Sequence, residues 1–202
     1  YLQDLILSSG WNIFSLSLFP NSYPAVLFDI LAPLESSISL VLDESGGAIF
    51  KDQLGAWVDN IGLWESDKGY LIKLDNAETL NLNTERLITL PLAIDLTTGW
   101  NVMSYPIQSD SGLAIEVALD DLITSQSLYG VFSESGDFYF PDYITGSSAV
   151  NSIGSLSKGK GYYIKVLSDT QLIVEEPSID VFADNFEDIA PNMSTRDNHF
   201  IP

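Results

Sequence analysis

The sequence predicts a mainly β, α+β protein made of two pseudo-equivalent repeats, each a small antiparallel sheet with one short helix. Three observations predict it. The same motifs occur twice in the same order, apolar residues alternate in short runs, and glycines and prolines punctuate those runs. GWN at 10–12 returns at 99–101, and DESGGAIF at 43–50 is answered by SESGDFYF at 133–140. NIG at 60–62 is answered by NSIG at 151–154, and DKGYLIKL at 67–74 by GKGYYIKV at 159–166. The offset between copies drifts only from 89 to 92 residues, which short loop insertions accommodate. The expected division is 1–84 for the first repeat, 85–176 for the second, and 177–202 for a linker or the start of a following module.

Each element has a local reason. Strands are expected over 5–7 and 92–96, where apolar and polar residues alternate. The GWN runs follow, with large apolar residues on one face. A helix over 25–34, entered through Pro24 and distorted by Pro33, places Leu27, Ile30, Leu31 and Leu34 on one stripe. Its counterpart over 112–124 has Ser111 as N-cap and a stripe of Ile115, Leu119 and Leu122. A strand over 38–43 leads into a hairpin turned by ESG, where glycine reaches positive φ without a steric penalty. Return strands are expected at 48–50 and 137–140, then a loop through GAWVDNIG or GSSAVNSIG. A glycine launches YLIKL or YYIKV, and strands at 79–83 and 171–175 close the copies. Beyond 176 the periodicity stops.

Charge excludes several functions. Twenty-eight acidic residues against eight basic ones give a net charge of −20. Neither nucleic-acid phosphates nor an anionic membrane surface finds the basic cluster it needs. Dispersed acid that keeps a surface soluble is the leading reading, with calcium or a cationic partner as the others. The absence of cysteine excludes disulfides, zinc–thiolate sites and iron–sulfur clusters. No apolar run approaches the ~20 residues that cross a bilayer, so membrane insertion is not expected. The chain opens at Tyr1 without a signal peptide, which fits a mature or excised piece of a longer polypeptide.

Residues shared by both copies read first as structural. Trp11 and Trp100 are expected to anchor the core, as are Tyr70 and Tyr162. Asn12 and Asn101 are expected to bond local backbone. Lys68, Lys160, Lys73 and Lys165 suit ion pairs, with a cationic handle for an acidic glycan as the sharper reading. Unshared aromatics point to a ligand instead. Trp57 and Trp64 in the first copy, and Tyr139 and Tyr143 in the second, are the candidate exposed ligand-binding residues. Alternation puts Phe138 and Phe140 on one face and Tyr139 on the other. Packing between the copies is the competing account of all four.

Catalysis finds little support. The single histidine, His199, stands in the tail, and there is no phosphate loop, HExxH or EF-hand pattern. Two carboxylates suited to glycoside hydrolysis can be picked at will from 28, so they carry no specificity. No catalytic residue, resident cofactor or metal ligand is assigned. ADNFED at 183–188 offers oxygens to calcium but lacks the spacing of a binding loop.

The series GWN, DESG, NIG and KGYxIKV resembles tandem domains of large secreted and cell-surface proteins of Bacteroidota-type bacteria. The resemblance runs from about Leu5 to Glu176, and HFIP at 199–202 resembles the opening of a following β module. It implies an extracellular or outer-surface location and neighbouring modules of the same polypeptide as partners. The expected function is a non-catalytic spacer or adhesive module of a larger protein, with a glycan or a surface protein as candidate ligand. The alternative is a carbohydrate-binding accessory module of a polysaccharide-degrading enzyme.

Overall fold

The computed structural model describes residues 1–109 and 111–176. The expectations placed on His199, on the oxygens of 183–188 and on HFIP lie outside the described residues. In the first repeat the order is β1 (Leu2–Leu7), β2 (Gly10–Phe14), α1 (Leu27–Leu31) with a 3-10 turn (Ala32–Leu34), β3 (Ile38–Leu42), β4 (Ala48–Lys51), β5 (Trp57–Asp59), β6 (Tyr70–Leu74) and β7 (Glu78–Asn83). The second repeat begins with β8 (Leu92–Leu96), β9 (Gly99–Ser104), β10 (Leu113–Ala114), α2 (Ile115–Ala118), α3 (Asp120–Thr124) and β11 (Leu128–Phe132). It continues with β12 (Phe138–Phe140), α4 (Asp142–Thr145), β13 (Val150–Asn151), β14 (Ser155–Leu156), β15 (Gly161–Val166) and β16 (Thr170–Val174).

The sheet and ribbon strands of the two repeats match one for one. Each holds a five-stranded sheet, in the order β2-β6-β3-β4-β5 and β9-β15-β11-β12-β13. Every pairing within them is antiparallel. Each also holds a two-stranded ribbon, β1 with β7 and β8 with β16. A register shift falls between Ile38 and Leu40 in one sheet and between Leu128 and Gly130 in the other. The β10–β14 pair corresponds to a single bridge between Val26 and Leu63 in the first repeat. The ESG hairpins turn on Gly46 and Gly136, at φ of 91° and 87°.

The helices are shorter than the sequence suggests, because strand pairing claims their first residues. Val26 is extended where it bridges Leu63, so α1 starts at Leu27, beyond the cis Tyr23–Pro24 bond. Pro33, which has no amide hydrogen, lies in the 3-10 turn that replaces the helix end. In the second repeat β10 occupies 113–114, so Ala114 rather than Ser111 precedes the helix. The helix then breaks at Leu119 into α2 and α3, and α4 adds a turn where a loop was expected. Leu27, Leu31, Leu34, Ile115, Leu119 and Leu122 of the two stripes are buried, and Ile30, only partly buried, packs against the first core.

Each sheet buries one face under its helix and ribbon, giving two cores. The first gathers Phe14, Leu27, Leu31, Val41, Ile72 and Tyr70; the second gathers Tyr105, Ile115, Leu119, Val131, Ile164 and Tyr162. The phenol oxygens of Tyr70 and Tyr162 accept hydrogen bonds from the Glu65 and Ser157 amides at 2.9 and 2.8 Å. Asn12 accepts from the Ser8 amide and donates to the Ser8 and Gly10 carbonyls, and Asn101 repeats this with Thr97 and Gly99.

The GWN tryptophans overturn the expectation placed on them. Trp11 is 48 % exposed and Trp100 53 % exposed. Strand parity is the reason. Asn12 and Phe14 point inward from β2, and the buried Asn12 ties the strand to its preceding turn. The tryptophan beside that asparagine must therefore point outward.

The shared motifs converge at the junction between repeats. Glu134 accepts a hydrogen bond from the Ile13 amide across the junction at 2.9 Å, and its other oxygen pairs with Lys160 at 2.6 Å. Reciprocally, Glu44 accepts from the Val102 amide at 3.0 Å and pairs with Lys68 at 2.5 Å. The Ser15 amide donates to the Gly159 carbonyl, and the Ser104 amide to the Asp67 carbonyl. Phe14 bridges Lys160 as Met103 bridges Lys68. The glycines of the KGY motifs lie against the opposite repeat's GWN strand. A Cβ on Gly69 would stand 2.7 Å from the Met103 carbonyl oxygen, and one on Gly161 2.7 Å from Ile13 Cγ2. These contacts form an isologous interface within one chain, patch i meeting j as j meets i.

Candidate functional site

The inner face of the second sheet is filled by its core, and the outer face carries a cluster of rings. Cross-strand register arranges that face in two rows. One row runs Trp100 (β9), Lys165 (β15), Gly130 (β11), with Lys165 opposite both of its neighbours. It ends in Phe140 (β12) opposite Val150 (β13). The second row is Val102, Tyr163, Phe132 and Phe138. Neither row contains a carboxylate, in a chain with 28 of them.

The rings form one connected surface. Trp100 meets Phe132 edge to face at 5.6 Å and Tyr163 at 6.5 Å. Phe132 continues to Phe140 at 5.5 Å and to Phe138 at 6.1 Å. Tyr129, the extra residue at the register shift, contacts Phe140 at 5.8 Å. The Lys165 ammonium lies 4.3 Å from the Tyr129 ring centre and 5.6 Å from that of Trp100, so the cation is held by ring faces. Burial pushes the Tyr163 phenol above its ordinary value, which keeps the face uncharged there through neutral pH. A shallow apolar depression of about 500 Å³ lies between Trp100, Phe132, Ser133 and Tyr163.

Glycine makes room for this arrangement. A Cβ on Gly130 would stand 2.7 Å from the Phe140 ring, so only glycine lets that ring lie across β11. In the first repeat the same rows read Trp11, Lys73, Leu40, Phe50, Val58 and Ile13, Leu71, Leu42, Ala48. Three aliphatic positions have become aromatic: Leu71 to Tyr163, Leu42 to Phe132 and Ala48 to Phe138. With Trp100 half exposed, roughly 130 Å² of indole faces water. Covering it is worth about 3 kcal/mol.

The four residues singled out from sequence do not meet at one place. Trp64 is 2 % exposed and packs edge to face on Phe19 at 5.5 Å. Tyr139 is likewise 2 % exposed, in the second core. Both were expected at the surface; they sit on inward-facing positions, so neither ring reaches a ligand. Trp57 is half-buried, donating to Glu35 at 2.8 Å, with Lys51 above its ring and Phe28 beside it. Tyr143 is half-buried and donates to the Leu128 carbonyl at 2.7 Å. The parity reading of Phe138, Tyr139 and Phe140 is right and its polarity reversed: the phenylalanines face out. Trp100, Phe132 and Tyr163 were missed, although the three aliphatic-to-aromatic changes were visible once the copies are aligned.

Among the described residues no group of three His, Asp or Glu side chains is placed to hold a metal ion. No described helix is long and apolar enough to cross a membrane. Comparisons with protein-family models, curated proteins and solved structures give no match to this chain.

Proposed function

We propose that the chain is a non-catalytic extracellular module of a larger secreted or surface protein. It acts as an adhesive unit whose contact surface is the outer aromatic face of the second sheet. One observation carries this reading: six charged and amide residues common to both copies are engaged in structure. Glu44, Glu134, Lys68 and Lys160 hold the junction, and Asn12 and Asn101 hold strand entries. Residues of that kind would have been the first candidates for acid–base work, and here each has a structural partner. The acidic, cysteine-free composition and the resemblance to surface-protein tandem domains support export.

Two measurements test it. The intact chain is incubated with a panel of polysaccharides and peptides, followed by reducing-end and mass-spectrometric analysis; no product is expected. Turnover that disappears on substitution of one carboxylate would refute the non-catalytic reading. Protease shaving of intact source cells should release peptides of this chain, and their confinement to the cytosolic fraction would refute the location.

A further inference from the structure

The second-repeat face has a shape and a charge pattern that narrow what can cover it. Its rings are spread over four adjacent strands at ~4.8 Å spacing, giving a platform ~14 Å across rather than a pocket for one side chain. Its one cation is already held by Trp100 and Tyr129, and its rows offer no carboxylate to a basic partner. Glu44 and Glu134, at the junction end, are engaged by lysines and backbone amides. An anionic polymer must approach a body of net charge −20, and so must a second copy of the chain. An uncharged polymer meets no such opposition. Its stacking must then come from weakly polar C–H surfaces flanked by hydroxyls, which is the character of a pyranose ring.

We propose that Trp100, Tyr163 and Phe132 form the binding platform for a neutral polysaccharide, laid across the strands of the second sheet. The first repeat, with leucines at two of these positions and Trp11 alone, does not bind. The inference rests on the module reading above and adds the ligand class to it.

The experiment is affinity electrophoresis and solid-phase retention of the full chain. Neutral polymers (cellulose, β-1,3-glucan, mannan) are compared with anionic alginate and pectate and with basic chitosan. The expected result is retention on at least one neutral polymer, little changed by 1 M salt, at which screening acts within ~3 Å. Trp100→Ala should weaken it roughly tenfold or more, and Trp11→Ala should leave it unchanged. The double variant Tyr163→Leu/Phe132→Leu guards against misfolding, since it installs residues the first repeat already carries there. It should fold and lose binding. Retention indifferent to Trp100→Ala, retention only on charged polymers, or no retention on any neutral polymer would overturn the proposal. So would a Trp100-dependent dimer in sedimentation. Turnover of a retained polymer would instead overturn the non-catalytic reading and leave the platform standing.

Discussion

Replacing Glu134 with alanine tests the junction directly. The residue accepts the Ile13 amide of the other repeat at 2.9 Å, and Ile13 is 4 % exposed, so removing the acceptor strands a donor that water reaches poorly. A loss of that kind costs about 1–3 kcal/mol. The accompanying pair with Lys160 has side chains 41 % and 24 % exposed, so it is screened and adds only ~0–1 kcal/mol. The sum is about 1–4 kcal/mol, equivalent to a drop of roughly 3–15 °C in Tm for a chain of this size. Glu134→Gln keeps an oxygen for the amide and should cost about 1 kcal/mol. Glu44→Ala, its counterpart, should resemble Glu134→Ala. Urea titration followed by tryptophan fluorescence, with thermal melts by circular dichroism, reads all three variants. Equal losses for Ala and Gln would mean that the ion pair, not the backbone bond, carries the effect. A silent Glu44→Ala beside a damaging Glu134→Ala would refute reciprocity.

Other perturbations follow from the same contacts. Gly69→Ala and Gly161→Ala should each lower the unfolding free energy read from urea titration by about 1–3 kcal/mol. Gly69 should suffer more, because its new methyl meets a backbone oxygen rather than a side-chain methyl. Asn101→Ala removes the bonds to Thr97 and Gly99 and should cost about 2–3 kcal/mol; Asn101→Asp should be no milder, since a carboxylate then faces two carbonyls. Burial raises the phenols of Tyr70, Tyr105 and Tyr162 above their ordinary value near 10, so the unfolded chain ionises first. Their contribution is therefore intact below pH 10 and declines above it, by up to about 1.4 kcal/mol per pH unit for each tyrosine. Phenolate absorbance should show these three groups titrating only as the chain unfolds, and early reversible titration would contradict their burial.

The strand order was legible because each motif does the same local work twice. GWN opens an edge strand, ESG turns a hairpin, and the KGY glycine leads into the strand that pairs with that edge. What could not be read was which face of each strand points inward. A period of two assigns residues to faces without saying which face is buried. GWNIF is apolar on both faces, since Ile13 is covered by the other repeat while Phe14 enters its own core. In DFYFP every strand residue is aromatic, so only the pairing of Tyr139 with the buried Val131 decides. The helix starts failed for a similar reason. Val26 and 113–114 pair with residues far along the chain, and no local signal announces that.

The two kinds of exposed aromatic now have different origins. Trp11 and Trp100 are shared because they belong to a strand whose neighbouring positions are fixed by the junction: Ile13 and Val102 each give their amide to a glutamate of the other repeat. Tyr163, Phe132 and Phe138 lie on the outer face, where the first repeat carries aliphatic residues and the strand register is the same in both sheets. Those positions can change without disturbing the clamp or either core. Gly130 sets the two faces apart: a Cβ there would meet the Phe140 ring as it lies at 2.7 Å, whereas in the first repeat Leu40 stands opposite Phe50. The second-repeat rings meet edge to face, with Phe140 seated across β11 at Gly130, and the pseudo-symmetric frame leaves the outer face of one repeat open to such change while both repeats hold the junction.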